Sequence, residues 1–306
     1  MDMKLGLRYE YTSSNLGSQR ESNIVDRKYG DIFPTFYLSR KINENESLNL
    51  TYSKRITRPT FNDMAPFVIF IDPNTFFSGN AALQPSISNS VSTSYNYKSY
   101  IFSLNYSHDN SAIANFQSRI DSTLNREILT AENLDNIKNL SATMALPLDI
   151  ANWWNVQNNF IGRWQQVNGN YNNNKVRIEK QNFQIVSSNN FKLPKEWSLE
   201  LTGFYQSADL FGRAVMKPFG MINFGVQKKI NQQRNVFSFN ISDVLNTGVF
   251  KFYTLIPDQN LNTSFKGRFQ QRTFKISYSH QFGNDKLTGK RERKTASEEE
   301  RRRVTQ

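Results

Sequence analysis

The stretch TFKISYSHQF, residues 273–282, alternates large and small polar side chains without a break. Phe274, Ile276, Tyr278, His280 and Phe282 share one side; Lys275, Ser277, Ser279 and Gln281 share the other. Successive side chains of an extended chain point to opposite faces, so this segment reads as a strand with one mainly apolar face and one polar face. The same period recurs along the chain. Leu5, Leu7, Tyr9 and Tyr11 alternate with Lys4, Gly6, Arg8 and Glu10. Leu48, Leu50 and Tyr52 alternate with Asn49, Thr51 and Ser53, and Phe237, Phe239 and Ile241 with Ser238, Asn240 and Ser242. Helical periodicity is nearly absent.

These rows predict about twelve strands, at 3–12, 30–41, 47–57, 86–97, 100–119, 126–147, 153–166, 176–192, 196–208, 217–230, 235–245 and 263–282. The connections between them sort by parity. Those at 41–46, 98–99, 147–152, 193–195 and 231–234 are short; those at 13–29, 58–85, 120–125, 167–175, 209–216 and 246–262 are longer. A bacterial outer-membrane barrel has short periplasmic turns, longer extracellular loops and an even strand number. A soluble sandwich has no reason to sort its loops this way.

The fold expected is therefore all-β: an antiparallel transmembrane β-barrel over residues 1–283, followed by a charged, disordered periplasmic tail at 284–306. No run of about 20 apolar residues exists, so no helix is expected to span a membrane. A sheet can enter lipid when its backbone groups pair with one another and it closes on itself. The row Phe274, Ile276, Tyr278 and Phe282 is expected to face lipid, end in the interfacial girdle and serve as the C-terminal assembly strand.

Composition agrees with that reading. Hydrophobic residues make up 38% of the 306 and aromatic residues 13%, while the mean hydropathy is −0.62. A polar chain rich in aromatics needs an architecture in which only alternate residues meet apolar surroundings. There is no cysteine, and His108 and His280 are the only histidines, so neither a disulfide framework nor a thiolate or histidine metal site is expected. The net charge of +12 is dispersed, without the basic helix or zinc spacing of a nucleic-acid binder. Outer-membrane lipid and lipopolysaccharide are the expected surroundings, with the barrel-assembly machinery as a folding partner. The opening MDMKLGLRYEYTSS carries no apolar signal segment, so the chain is expected to belong to a longer one.

No enzyme is expected. Ser107–His108 and Ser279–His280 are sequence neighbours, and neighbours on a strand point to opposite faces. No metal or cofactor is expected either, since Asp63 and Asp72 lack the spacing of a calcium loop. The candidate binding segment is the loop 58–85, which carries Arg58, Phe61, Asp63, Asp72, Phe76, Phe77 and Asn80, stiffened by Pro59, Pro66 and Pro73. Arg8, Glu10, Glu196 and Glu200 are expected to line the lumen.

Residues 53–98, SKRITRPTFNDMAPFVIFIDPNTFFSGNAALQPSISNSVSTSYNYK, resemble the strand–loop–strand segment of TonB-dependent outer-membrane receptors, and more narrowly their outer membrane protein beta-barrel family. The resemblance rests on Arg58–Pro59, Gly79–Asn80 and Leu83–Gln84–Pro85. FNISDVLNT (239–247), ISYSHQFG (276–283) and the tail EEERRR are similar to the end of the same family. It implies the C-terminal part of a barrel of about 22 strands with a plugged lumen. It also implies nutrient uptake or capture at the cell surface, TonB contact only through a plug that this chain lacks, and a surface lipoprotein as a further partner. Two other readings stay open: a self-contained twelve-strand passive pore or surface-binding protein, and a soluble all-β carbohydrate-binding module.

Overall fold

The computed structural model describes residues 1–17, 24–65, 67–121, 126–171, 174–230, 234–257, 261–268 and 272–282. The tail 284–306, Gly283, Pro66 and most of the expected turn 231–234 lie outside the described residues. In chain order the elements are β1 (Asp2–Leu16), β2 (Val25–Lys41), β3 (Glu46–Thr57), α1 (Phe61–Met64), β4 (Val68–Asp72), β5 (Thr75–Ser78), β6 (Ser86–Tyr97), β7 (Tyr100–Asp121), β8 (Arg126–Ala151) and β9 (Trp154–Tyr171). They continue with β10 (Asn174–Leu193), β11 (Trp197–Gln206), β12 (Asp209–Phe211), β13 (Ala214–Met216), β14 (Phe219–Ile230), β15 (Asn235–Ser242), β16 (Val249–Ile256), β17 (Leu261–Arg268) and β18 (Thr273–His280).

Twelve of these strands pair in the order β1-β2-β3-β6-β7-β8-β9-β10-β11-β14-β15-β18. Each neighbouring pair is antiparallel, and the register carries the alternation from strand to strand. Leu199, Val226, Phe239 and Ile276 form one row across β11, β14, β15 and β18; Leu201, Phe224, Ile241 and Phe274 form the next. Between them runs Glu200–Gly225–Asn240–Lys275 on the opposite face. The polar face is laced by small side chains: Asn49 donates to Ser94 at 3.2 Å, Thr51 and Ser92 share a bond of 2.8 Å, and Ser90 donates to Asn105 at 2.9 Å. The apolar rows lie on the outside of a single sheet, not between two. Leu48 is 43% exposed and Phe237 47%, which removes the soluble sandwich and its buried rows. Lipid is the medium in which such a face is stable.

Aromatic side chains gather at the end with the short turns. Tyr97 stacks on Tyr100 at 6.4 Å, Trp154 on Phe191 at 5.6 Å, and Phe237 packs on Tyr278 at 4.7 Å. The Lys228 ammonium lies 5.2 Å from the Trp197 ring. Membrane barrels carry aromatic residues of this kind at their interfaces. The turns are tight enough to force Lys98, Lys195 and Glu196 into the left-handed region.

At the other end the strands run on. β8 has 26 residues and β10 has 20, where about ten suffice to cross a membrane. Most of the expected loop 167–175 is therefore strand: Val167 is buried against Leu134 and Leu210, and only 172–173 fall outside the described residues. The single strand expected at 263–282 is in fact two. β17 pairs with β16, and β18 alone continues the main sheet. β12, β13 and β16, from the expected loops at 209–216 and 246–262, make a separate four-stranded sheet with β17, which is drawn mostly from the expected strand 263–282. Within the loop 58–85, α1 is followed by the β4–β5 hairpin, and β5 runs parallel to β8.

Among the described residues, no further strand pairs with β1 or β18, the two ends of the order. Their outer rows are correspondingly bare: Leu7 is 77% and Ile276 83% exposed. Replacing Phe239 by Arg places a charge in the lipid-facing row and is expected to cost roughly 2–4 kcal/mol. Arg at Asn240, one residue on and facing inward, is expected to cost far less. Urea titration of protein refolded into vesicles measures both; equal losses would show that the two faces are misassigned.

Candidate functional site

At the loop end of the polar face, β1, β2 and the end of β3 bring charged residues together. The Arg58 guanidinium Nη2 donates to Glu10 Oε2 at 2.6 Å and to Thr12 Oγ1 at 2.9 Å, and its Nε reaches Thr12 Oγ1 at 3.2 Å. Arg8 Nε meets the other Glu10 oxygen at 2.9 Å. Lys54 Nζ donates to Asp31 at 2.7 Å. Phe33, almost fully buried, lies beneath, with the Arg8 guanidinium 5.3 Å and the Lys54 ammonium 5.7 Å from its ring centroid. Burial works against the charge on Arg58, but hydrogen bonds to Glu10 and Tyr29 outweigh it and hold the guanidinium above its ordinary value. Three cations, Arg8, Lys54 and Arg58, thus meet two carboxylates, Glu10 and Asp31, leaving a local surplus of positive charge on the wall.

Arg8, Glu10 and Arg58 were expected in two separate places, lumen and loop; the structure joins them. The other expected residues do not join. Glu200 sits on the polar face between Asn190 and Gly225. Glu196 lies in the turn between β10 and β11, its carbonyl accepting from Lys229 N at 3.1 Å. Phe274, Ile276 and Tyr278 lie on β18, and Phe282 packs on His280 at 4.1 Å.

Within the loop 58–85 the polar residues serve the backbone. Thr60 and Asp63 cap α1 reciprocally at 3.1 and 3.2 Å. The Asn80 amide side chain donates to Ala131 O at 3.0 Å and accepts from Ala82 N at 2.9 Å, while its backbone N–H donates to Asp63 O at 2.6 Å. Arg27 donates to the carbonyls of Ala81, at 2.9 Å, and of Leu83. These bonds seat Leu83 against Met64 and Ala131 in a small buried cluster. Asp72 accepts from Asn74 N at 2.8 Å, and that amide, with Thr75, holds its carboxyl below the usual range. Phe76 packs on Phe70 at 6.1 Å and Phe77 on Phe116 at 5.6 Å, while Phe61 stays exposed.

A second construction went unseen in the sequence. The hairpin of β12 and β13 folds onto the inner side of β7–β10. Arg163 and Asn182, opposite each other on the polar face, hold its start: Arg163 pairs with Asp209 at 3.2 Å, and Asn182 donates to Ser207 O at 3.1 Å. At its tip, Arg213 pairs with Glu132 at 2.9 Å and donates to the carbonyls of Asn170 at 3.2 Å and Ser118 at 3.4 Å. Gln117 accepts from Arg213 N at 3.0 Å. The adjoining Gly212 has φ +58°, and a side chain there would start 2.4 Å from the Gln117 amide. Asp243 is likewise buried, its carboxylate accepting from Thr247 N and Gly248 N at 2.8 Å each. Only its place in FNISDVLNT, where a strand pattern meets turn residues, could have flagged it.

The geometry is that of a membrane β-barrel wall, polar inside and apolar outside, with loops folded over one end. A model of the outer membrane protein beta-barrel family matches residues 1–279, and the chain belongs to that family, whose place is the bacterial outer membrane. No curated protein matches the sequence. Among solved structures, the FrpB iron transporter from Neisseria meningitidis is similar with TM-score 0.60 and 12% identity, covering 92% of this chain and 43% of that one. The ferric-catecholate import receptor Fiu from E. coli K12 is similar with TM-score 0.54, 11% identity, and 92% and 42% coverage. A mutant ferric enterobactin receptor from Pseudomonas aeruginosa, in complex with enterobactin, gives TM-score 0.52, 11% identity, and 83% and 42% coverage. The likeness is one of fold, and the chain spans less than half the length of these structures.

Arg213→Met leaves Glu132 without its buried partner and is expected to cost about 3–5 kcal/mol. Adding Glu132→Leu should recover much of that loss. Protease nicking within 207–218, read by mass spectrometry, follows the hairpin directly; unchanged protection in the single variant would show that the pair does not hold it.

Proposed function

We propose that this chain supplies the C-terminal barrel strands of a TonB-dependent receptor-like transporter that captures an anionic nutrient at the cell surface and takes it up through the lumen. The observation that carries this reading is the cation surplus of Arg8, Lys54 and Arg58 on the polar wall, at the end where the loops fold. Guanidinium groups bind carboxylate and similar planar oxygen pairs through two parallel N–H donors. A ferric chelate bearing carboxylate or catecholate groups is the solute class that suits such a wall, in keeping with the iron and enterobactin receptors that share the fold. The exposed Phe61, Phe67 and Phe70 offer apolar surface near the same loop. Coupling to TonB then runs through a plug outside this chain, and a surface lipoprotein is a partner compatible with the exposed loop.

Quenching of tryptophan fluorescence by ferric enterobactin measures binding. Replacing Arg8 and Arg58 together by Gln is expected to raise Kd at least tenfold with strand content unchanged, and iron-limited growth supported by the protein should vanish without TonB. Binding untouched by the double variant removes the anion site. Growth that persists without TonB favours the passive-pore reading instead.

A further inference from the structure

The lipid-facing side carries a depression that the alternation alone does not explain. Its floor is Ala142 and Gly162, opposite each other on β8 and β9. Its walls are Phe102, Leu104, Met144 and Phe160, and it extends to Leu48 and Tyr95, with a volume of about 530 Å³. That lies within the range of small-ligand sites. Glycine inside a strand weakens it and usually marks a bulge or a close approach. Gly162 shows neither: its pairing to β8 and β10 is regular there, and no atom lies within 4 Å of where its side chain would begin. A smooth lipid-facing wall would place a branched side chain at this position. The gap is open to hydrocarbon, and an acyl chain is what can fill it.

The lower rim says which lipid. Leu48, Tyr95 and Phe102 lie on one transverse row, and the row continues on β2 to the exposed Arg40. Tyr95 and Phe102 stand two residues from the β6–β7 turn, roughly 7 Å at about 3.3 Å per residue. In that turn the Lys98 ammonium sits 5.5 Å from the Tyr97 ring, at the level of the aromatic girdle. Glu46, paired opposite Tyr97, adds one carboxylate. Two cations and a carboxylate at head-group depth match a phosphate next to an ammonium group.

From this we infer that the depression is a phospholipid site. One acyl chain of a zwitterionic aminophospholipid of the periplasmic leaflet lies over Gly162 and Ala142, its phosphate toward Arg40 and Lys98, its ammonium toward Glu46. The inference needs the outer-membrane location and does not depend on the transport reading.

The test places the full chain in nanodiscs of equal phosphatidylethanolamine and phosphatidylglycerol, releases it into mild detergent, and counts retained lipid by native mass spectrometry. Wild type is expected to keep one phosphatidylethanolamine through detergent washes. Gly162→Leu and Ala142→Phe each fill the gap and should lower retention at least fivefold; Arg40→Gln with Lys98→Gln should lower it at least threefold. Leu199→Phe, elsewhere on the lipid face, should keep the wild-type level. Heat-modifiable migration on gels shows which variants are folded, and either groove variant suffices. The site is refuted if wild type keeps no lipid, if a folded groove variant keeps as much as wild type, or if Leu199→Phe loses as much as the groove variants. Preferential retention of phosphatidylglycerol overturns the head-group assignment.

Discussion

A peptide group with no partner in hydrocarbon costs several kcal/mol, and a strand crossing a membrane carries one such group per residue on each edge. Nearly everything else in this chain follows from satisfying that demand. The inner ten strands of the main order have neighbours on both sides; β1 and β18 have one each among the described residues. Before those edges meet lipid, each must meet a strand: the other edge, or strands supplied by a longer chain. The bare outer rows of Leu7 and Ile276 mark where that contact belongs.

Pairing by long straight strands also fixes composition. Every second residue faces lipid and is mostly apolar; the rest face a wet interior and are free to be Ser, Thr, Asn or charged. The chain is therefore polar on average while presenting a mainly apolar band, interrupted at residues such as Thr93, Asn158, Ser187 and Asn189. Beyond the band the constraint lifts, and different devices appear. Single carboxylates and amides hold turns through backbone bonds, as Asp243 does for Thr247 and Gly248 and Asn80 does for Ala82 and Ala131. Apolar packing there is confined to small clusters such as Leu134, Val167 and Leu210.

This division also explains what could be read from the sequence. Where lipid dictates alternation, the strands were legible to within a few residues, and so were the short turns and the outward faces of Leu48, Phe237 and Ile276. Where water replaces lipid, period two no longer separates membrane strand from surface strand. The segment 261–268 alternates much as 273–280 does, yet it pairs with β16 and leaves the main sheet. Tertiary partners decide such segments, and no local signal names them. The same holds for the site. Arg8, Glu10 and Arg58 were each recognisable as wall or loop residues, but their meeting depends on the β1–β2–β3 register. Arg213 and Glu132, 81 positions apart by subtraction of their numbers, offered no local clue at all.

Burial separates the two arginine constructions by what each can do. Arg213 is 2% exposed at its side chain, and its guanidinium is engaged by Glu132 and the carbonyls of Asn170 and Ser118. A solute anion could reach it only by displacing partners that are already well placed, at a desolvation cost that a hydrogen bond does not return. Its role is to hold the hairpin down. Arg8 is 60% exposed at its side chain, shares one carboxylate with Arg58, and rests on the face of Phe33. It is open to solvent and can engage an anion without a buried pair being broken, while Glu10 stays paired with Arg58. Under the transport proposal, the wall cluster is therefore where a lumenal anion would be bound at lower cost than at Arg213.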